Sequence, residues 1–172
     1  MADTNTKYDI VVFGASGYTG RLVAEYLQGE YANTGLKWAM AGRSLDKLAS
    51  VRTALGIPDS VDLVSVDSDD AASVGQMVSD CKVVITTVGP YQLYGEELIK
   101  QCAEQGTDYV DLSGEPSWMH ETIAQHSAAA KASGARIVHS CGFDSIPFDL
   151  GVYCLQQRAI TQTGKPIATV KG

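Results

Sequence analysis

The chain has 172 residues, with 20 acidic and 13 basic side chains and a formal net charge of −7 at pH 7. This length fits one domain, or one domain and the beginning of another. The 45% of hydrophobic and 19% of charged residues are typical of a globular protein and exclude a disordered chain. Because the chain has no basic stripe and no long apolar run, nucleic acid is not predicted as a partner, and no membrane span is predicted.

Short apolar runs alternate with amphipathic stretches along the whole chain. The first half predicts, in order, a strand at Tyr8–Phe13, a helix at Tyr18–Gln28, a strand at Leu36–Ala41, a helix at Asp46–Leu55, a strand at Val61–Val66 and a helix capped by Ser68 or Asp69 that runs to Ser79. The second half predicts a strand at Lys82–Thr87, a helix at Glu96–Gln105, a strand at Tyr109–Leu112, a helix at Pro116–Ser133, a strand at Arg136–His139 and a helix at Ile146–Gln157.

Six strands joined by helices predict an α/β fold, a doubly wound parallel sheet of the Rossmann type with helices on both faces. Such a domain is complete by residue 158, so residues 7–158 are assigned to it. Residues 159–172 contain another strand-like run, IATVK, and are predicted to begin a second domain.

The strongest chemical signal is the glycine-rich turn between the first strand and the first helix. It consists of Gly14, Ala15, Ser16, Gly17, Tyr18, Thr19 and Gly20. Glycines there allow a sharp turn and a close approach of the backbone to a diphosphate, which the free N–H groups and the dipole of the helix then attract. The spacing GxxGxxG is typical of many NADP-dependent enzymes. A purely structural turn is the alternative, and no P-loop motif is present.

The residues after the second predicted strand favour NADP over NAD. An NAD site usually has an acidic residue there, which binds the ribose 2′-hydroxyl. This chain instead has Arg43 and Ser44, and no acid before Asp46. A guanidinium can bind a 2′-phosphate with two charge-assisted hydrogen bonds, and the serine hydroxyl can add another. A solvated surface arginine is the simpler alternative.

A second loop is predicted to border the ribose and nicotinamide side of the cofactor, because it follows the fourth strand, which flanks the first in this topology. Its candidate residues are Thr87, Val88, Gly89, Pro90 and Tyr91. A structural Gly-Pro turn would explain Gly89 and Pro90 equally well. Cys141, after the sixth strand, is a candidate nucleophile, although a packed or cofactor-adjacent thiol fits better because no histidine motif accompanies it.

The cysteines and the amino-terminal residues indicate whether the protein binds a metal and in which cellular compartment it is found. Cys81, Cys102, Cys141 and Cys154 form no CxxC motif, and no histidine stands at metal-ligand spacing from them. They predict free thiols in a reducing compartment and no metal site. Because the first residues also lack the pattern of a signal peptide, the sequence predicts a cytoplasmic protein.

Four motifs in order resemble the NADP-binding domain of saccharopine dehydrogenase-like oxidoreductases, in the branch that includes the trans-acting enoyl reductases. They are GASGYTGRLVAEYL, AGRS, TTVGPYQLYGEELIKQCAEQGTDYVDLSGE and HSCGFDSIPFDLGVY, and the similarity covers residues 8–158. The resemblance implies NADP(H) as cofactor and hydride transfer between NADPH and a small-molecule or lipid-like substrate. It also implies a following domain that binds substrate and forms a homodimer, so no turnover is expected from this chain alone.

The residue that donates a proton in such a reaction is left open by the sequence. Five side chains at the carboxyl edge of the sheet are candidates: Tyr91, Tyr94, Asp111, Glu115 and Asp144. Two other functions also stay open, a non-catalytic module that binds or senses NADP(H) and a semialdehyde dehydrogenase with Cys141 as nucleophile. A short-chain dehydrogenase is set aside because no tyrosine is followed four residues later by lysine.

Overall fold

A computed structural model describes residues 6–171; residues 1–5, which enter the signal-peptide prediction, and Gly172, the last residue of the predicted second domain, lie outside the described residues. The strands are β1 (Tyr8–Phe13), β2 (Trp38–Gly42), β3 (Asp62–Ser65), β4 (Cys81–Thr86), β5 (Asp108–Val110) and β6 (Ile137–Val138). The helices are α1 (Tyr18–Tyr31), α2 (Leu45–Ala54), α3 (Ala71–Ser79), α4 (Tyr91–Tyr94), α5 (Glu96–Gln105), α6 (Pro116–Ser133) and α7 (Ile146–Thr163).

The six strands form one parallel sheet in the order β3-β2-β1-β4-β5-β6. In the centre of this sheet, Val11 pairs with Ala39 of β2 on one side and with Val84 of β4 on the other. The chain therefore leaves β1 in one direction and later returns to its other side, which produces a crevice at the carboxyl ends of β1 and β4. The predicted doubly wound α/β fold is confirmed.

Two cores form because successive side chains of a strand point to opposite faces of the sheet. Val11 and Phe13 of β1 pack on one face with side chains of α3, α5 and α6. Val12, between them, packs on the other face with side chains of α1 and α2. Both faces of β1 are therefore covered, and its position in the sheet is fixed.

Several element boundaries differ from the sequence prediction. The N-cap of α3 is Asp70 rather than Ser68 or Asp69, because its carboxylate stands directly before the helix and accepts the Ala72 N–H at 3.0 Å. The helix α7 passes residue 157 and continues to Thr163. The short helix α4 was not predicted, since four residues show no helical period.

The predicted strand-like run at residues 167–171 is not a strand. Instead, the backbone N–H of Ile167 donates to the side chain of Gln156 at 2.8 Å, and that side chain donates to the Ile167 carbonyl at 3.0 Å. The segment around Ile167 thus folds back on α7, and residues 165–171 do not pair with a sheet.

Helix α7 differs from the other long helices because none of its 18 residues is buried. Its large apolar side chains are exposed, and the exposed fraction reaches 63% at Phe148 and 60% at Tyr153. Among residues 6–171, no helix combines the length and the apolar character that crossing a membrane requires.

Candidate functional site

The glycine-rich turn after β1 requires glycine at two positions for steric reasons. Gly14 has a positive φ of 88°, and a Cβ there would lie 2.7 Å from Thr87 Oγ1. A Cβ on Gly20 would lie 2.1 Å from the Gly14 carbonyl oxygen, so any side chain would push α1 away from the turn. At Gly17 the same distance is 3.3 Å, which is tight but less severe. The glycines therefore bring α1 close against the end of β1.

The start of α1 presents N–H groups that no side chain satisfies. Gly17 is the N-cap and has no side-chain cap, and the first helical hydrogen bond runs from the Arg21 N–H to the Gly17 carbonyl at 3.0 Å. The N–H groups of Tyr18, Thr19 and Gly20 consequently have no acceptor within the helix. Together with the positive end of the helix dipole, they can bind the oxygens of a diphosphate.

A cleft of about 220 Å³ opens beside this turn, at the carboxyl ends of the central strands. It is lined by Phe13, Gly14, Ser16, Gly17, Gly42, Arg43, Ser68, Thr87, Val88, Gly89 and Tyr94. Residues that follow β2 and β3 form one end of the cleft, and residues that follow β4 form the other, with the glycine turn between them. This arrangement suits an elongated ligand that crosses the end of β1.

The structure brings about half of the predicted cofactor residues to the cleft. Those that line it are Gly14, Ser16, Gly17, Arg43, Thr87, Val88 and Gly89. Those that do not are Ala15, Tyr18, Thr19, Gly20, Ser44, Pro90 and Tyr91. Ala15 is fully buried in the core with α1 and α2, whereas the Tyr18 side chain is 84% exposed. The backbone N–H groups of Tyr18, Thr19 and Gly20 nevertheless belong to the start of α1 described above.

Arg43 and Ser44 have different surroundings at the tip of β2. Arg43 is exposed and lines the cleft. Ser44 is the N-cap of α2, and its Oγ accepts the Lys47 N–H at 3.3 Å. The guanidinium is therefore available to an anion, while the Ser44 hydroxyl also has a structural role and keeps its hydrogen for a second contact.

Two residues at the cleft were not singled out from the sequence. Gly42 directly precedes Arg43 and extends β2, and its place at the strand tip was a usable signal. Ser68 lies in the loop after β3, where it was interpreted only as a helix cap. Its proximity to Arg43 depends on the pairing of β2 with β3, which the local pattern does not contain.

Tyr91 is a structural residue behind the cleft. It is buried, and its hydroxyl donates to the Thr86 carbonyl at 3.2 Å and accepts the Leu112 N–H at 3.4 Å. Burial raises the pKa of this phenol to about 12. A group placed in this way links the end of β4 to the loop after β5 and does not suit proton donation to a ligand in the cleft.

Asp111 is an anchor between β5 and β6. Its buried carboxylate accepts hydrogen bonds from Tyr109 Oη at 2.8 Å, His139 Nδ1 at 2.7 Å, the Ser113 N–H at 3.0 Å and the Ser140 N–H at 2.8 Å. Burial by itself raises the pKa of Asp111, but the hydrogen bonds outweigh burial and lower it. The carboxylate is therefore held ionised, and both of its oxygens already accept hydrogen bonds within the protein. These two properties argue against a role as proton donor.

Of the other candidate proton donors, only one lines the cleft. The Glu115 carboxylate accepts the N–H groups of Tyr91 at 2.7 Å and Gln92 at 2.8 Å. Asp144 is exposed in the loop after β6 and does not line the cleft. Tyr94, at the end of α4, is half-buried and does line it.

Cys141 has no activating partner among the described residues. Its Sγ faces the carbonyl oxygens of Val138 at 3.6 Å and His139 at 3.8 Å, and the neighbouring imidazole is bound to Asp111. Burial and the charge of Asp111 raise the pKa of this thiol, which opposes thiolate formation. In residues 6–171, no three His, Cys, Asp or Glu side chains form a group that could hold a metal ion.

Comparison with known proteins places this geometry among related domains. The family model described as the saccharopine dehydrogenase NADP binding domain matches residues 10–138. A putative trans-acting enoyl reductase of Mycobacterium tuberculosis is 41% identical over the whole chain, which spans 42% of that relative's length. A lipid droplet localized protein of Caenorhabditis elegans is 43% identical over 88% of the chain, which spans 37% of that relative.

A solved structure has the same fold. Apo saccharopine dehydrogenase (L-Glu forming) of Saccharomyces cerevisiae superposes with a TM-score of 0.67, over 88% of this chain and 32% of that one. The sequence identity is 20%, so this similarity concerns the fold and not the activity.

Proposed function

Since the chain belongs to the family of saccharopine dehydrogenase NADP-binding domains, we propose that it holds NADP(H) across the cleft for an oxidoreductase reaction. The family match confirms both the predicted family and NADP as cofactor. The observation that carries the proposal is the glycine turn: Gly14 and Gly20 leave no room for a side chain, and the uncapped start of α1 faces the cleft they shape. The free N–H groups and the positive end of the helix dipole at this turn suit the negative charge of a diphosphate.

The two ends of the cleft suggest the direction of the bound dinucleotide. Arg43 at the tip of β2 offers a cation for the 2′-phosphate of the adenosine ribose. Thr87, Val88 and Gly89 at the tip of β4 would then border the nicotinamide riboside. The start of α1 would hold the diphosphate between them, as in other dinucleotide-binding sheets of this strand order.

The chemistry divides between cofactor and protein. NADPH supplies the hydride when it is bound, and the residues of this chain bind it, orient it and limit its access to water. The relatives named as trans-acting enoyl reductases favour reduction of a small-molecule or lipid-like substrate. The interpretation as a semialdehyde dehydrogenase is disfavoured, because within residues 6–171 no base contacts Cys141, the nearby His139 is bound to Asp111, and the pKa of the thiol is raised.

We further propose that the substrate wall comes from a second domain. The cleft described here is open, and the chain spans 42% of the length of its mycobacterial relative. Hydride transfer requires a closed site that excludes water, so these 172 residues alone should bind NADPH without oxidising it. Steady NADPH oxidation by this chain, measured by loss of absorbance with an enoyl ester, would contradict this part of the proposal.

The cofactor site is tested by calorimetry with NADP⁺ and two matched glycine variants. Gly17→Leu places a bulky side chain in the cleft, where it should block the diphosphate and abolish measurable binding. Gly29→Leu, later in the same helix, has nothing within 4 Å of the new Cβ and should bind as the wild type does. Equal affinities for the wild type and Gly17→Leu would refute the proposed site.

A further inference from the structure

We propose that Tyr94 forms the wall of the nicotinamide half of the cleft and binds the nicotinamide riboside of NADP(H). This inference rests on the proposed function and specifies which residue contacts the reactive half of the cofactor. Tyr94 is a half-buried side chain at the end of α4 and lines the cleft beside Thr87 and Gly89. None of the other tyrosines in residues 6–171 lines it.

The position of Tyr94 relative to β1 assigns it to this half of the ligand. Arg43 follows β2, and Tyr94 belongs to the segment that follows β4, so they lie on opposite sides of the central strand. A dinucleotide whose 2′-phosphate meets Arg43 and whose diphosphate lies over α1 extends toward β4. Its nicotinamide riboside therefore reaches the end of the cleft where Tyr94 stands.

The helix that carries Tyr94, α4, is held by hydrogen bonds and by aromatic packing of its neighbouring residues. The Glu115 carboxylate binds the first two N–H groups of α4, and the hydroxyl of buried Tyr91 binds the backbone at the end of β4. The Tyr91 ring stacks on Trp118 with centroids 5.6 Å apart. Gly95, which ends α4, leaves space for that indole, because a Cβ there would lie 2.5 Å from Trp118 Cζ2. The helix α4, which carries Tyr94, is consequently held in place by these contacts.

The side chain itself offers a ring and a free hydroxyl. Within residues 6–171 the Tyr94 hydroxyl makes no hydrogen bond, unlike that of Tyr91. An aromatic ring suits contact with the flat nicotinamide and the adjoining ribose, and the hydroxyl can donate to a ribose oxygen. The ring supplies most of the contact area, so binding depends more on the ring than on the hydroxyl.

Two ligands distinguish a contact between Tyr94 and the nicotinamide riboside from a general effect of the substitution on the whole site. NADP⁺ carries the nicotinamide riboside, whereas adenosine 2′,5′-bisphosphate lacks it and keeps the 2′-phosphate. Tyr94→Ala should weaken NADP⁺ by about tenfold and leave adenosine 2′,5′-bisphosphate unchanged. Tyr94→Phe should retain most of the NADP⁺ affinity. Leu93→Ala is the matched control, because Leu93 lies in the same turn, is 65% exposed and does not line the cleft.

Calorimetry with the whole chain tests the assignment of Tyr94 to the nicotinamide riboside. Loss of NADP⁺ affinity alone in Tyr94→Ala, with Leu93→Ala unchanged, supports the assignment. Unchanged NADP⁺ affinity in Tyr94→Ala, or an equal loss for both ligands, overturns it. If Tyr94→Ala does not fold, folded Tyr94→Phe decides. Retention of NADP⁺ affinity to within about twofold of the wild type supports the ring contact, and any larger loss overturns it. Failure of the wild type to bind either ligand refutes the proposed function instead.

Discussion

The carboxylate of Glu115, in the loop after β5, accepts the backbone N–H of Tyr91 at the start of α4 at 2.7 Å. The other carboxylate oxygen accepts the next N–H, that of Gln92, at 2.8 Å. A side chain 24 residues away therefore caps a helix of four residues that is too short to be stable by itself. The carboxylate thus fixes the segment between β4 and α4 that borders the cleft.

Removal of this carboxylate should destabilise the domain and weaken cofactor binding. Glu115→Ala leaves two N–H groups without an acceptor, and hydrogen bonds to a charged group contribute about 1.5–3 kcal/mol. We expect a fall in unfolding free energy of about 2 kcal/mol in urea titration, and weaker NADP⁺ binding. Glu115→Gln, which keeps one acceptor oxygen, should lose less. Glu121→Ala, at an exposed position of α6, is the control, and an equal effect there would contradict the capping role.

Coenzyme choice is expected to depend on Arg43. Arg43→Ala should weaken NADP⁺ by roughly tenfold to a hundredfold and leave NAD⁺ nearly unchanged, because only NADP⁺ carries the 2′-phosphate. Ser44→Ala should weaken NADP⁺ less, and it should also lower the unfolding free energy by about 1 kcal/mol because it removes the cap of α2.

The control for Arg43 is Lys47→Ala, which removes a nearby positive charge that does not line the cleft. Titrations belong at moderate salt, because exposed ion pairs are screened. If NAD⁺ binds as tightly as NADP⁺ to the wild type, or Arg43→Ala weakens both equally, Arg43 does not bind the 2′-phosphate.

The Asp111 network should make stability depend on acid pH. The hydrogen bonds that Asp111 accepts lower its pKa in the folded state. Its contribution is therefore present above the unfolded pKa of about 3.9 and is lost as the pH falls through the lower folded value. Asp111→Asn should cost about 3 kcal/mol near neutral pH, since one amide oxygen cannot accept four donors.

Denaturant titrations across the acid range test this dependence. The difference in unfolding free energy between the wild type and Asp111→Asn should shrink below about pH 4. Asp144→Asn, at an exposed position, should show no such convergence. A difference that is constant with pH would mean that Asp111 acts through packing and not through its charge.

The four thiols should differ in their reaction with iodoacetamide. Cys154 is exposed on α7 and should react first near neutral pH. Cys141 should react more slowly because burial raises its pKa. Cys81 and Cys102 are buried and should react only on unfolding. Peptide mapping by mass spectrometry gives the order. Faster reaction at Cys141 than at Cys154 would indicate an activated nucleophile and would favour the semialdehyde dehydrogenase hypothesis.

The features that were predictable from the sequence are those with a local cause. The limits of β1 follow from a short run of β-branched and aromatic residues, and Gly106 and Gly134 end their helices with φ values of 83° and 88°. The glycine turn was identified because its spacing reflects the steric demands at Gly14 and Gly20.

The remaining features depend on contacts between distant residues. Asp111 and His139 are 28 residues apart and meet only because β5 pairs with β6. Glu115 and Tyr91 were both among the five candidate proton donors, and no local pattern indicates that one holds the other. The role of a titratable side chain was therefore not predictable where its partner came from a distant part of the chain.

The exposed helix α7 has a consequence for the dynamics of the chain. Most of the stability of a helix in a protein comes from tertiary packing, and α7 buries none of its 18 residues. Its amide hydrogens should therefore exchange with deuterium through local opening, separately from those of the sheet, which exchange only on global unfolding. Any protein surface that comes to cover Phe148 and Tyr153 would slow this exchange, so deuterium uptake in α7 reports directly on whether the helix is covered.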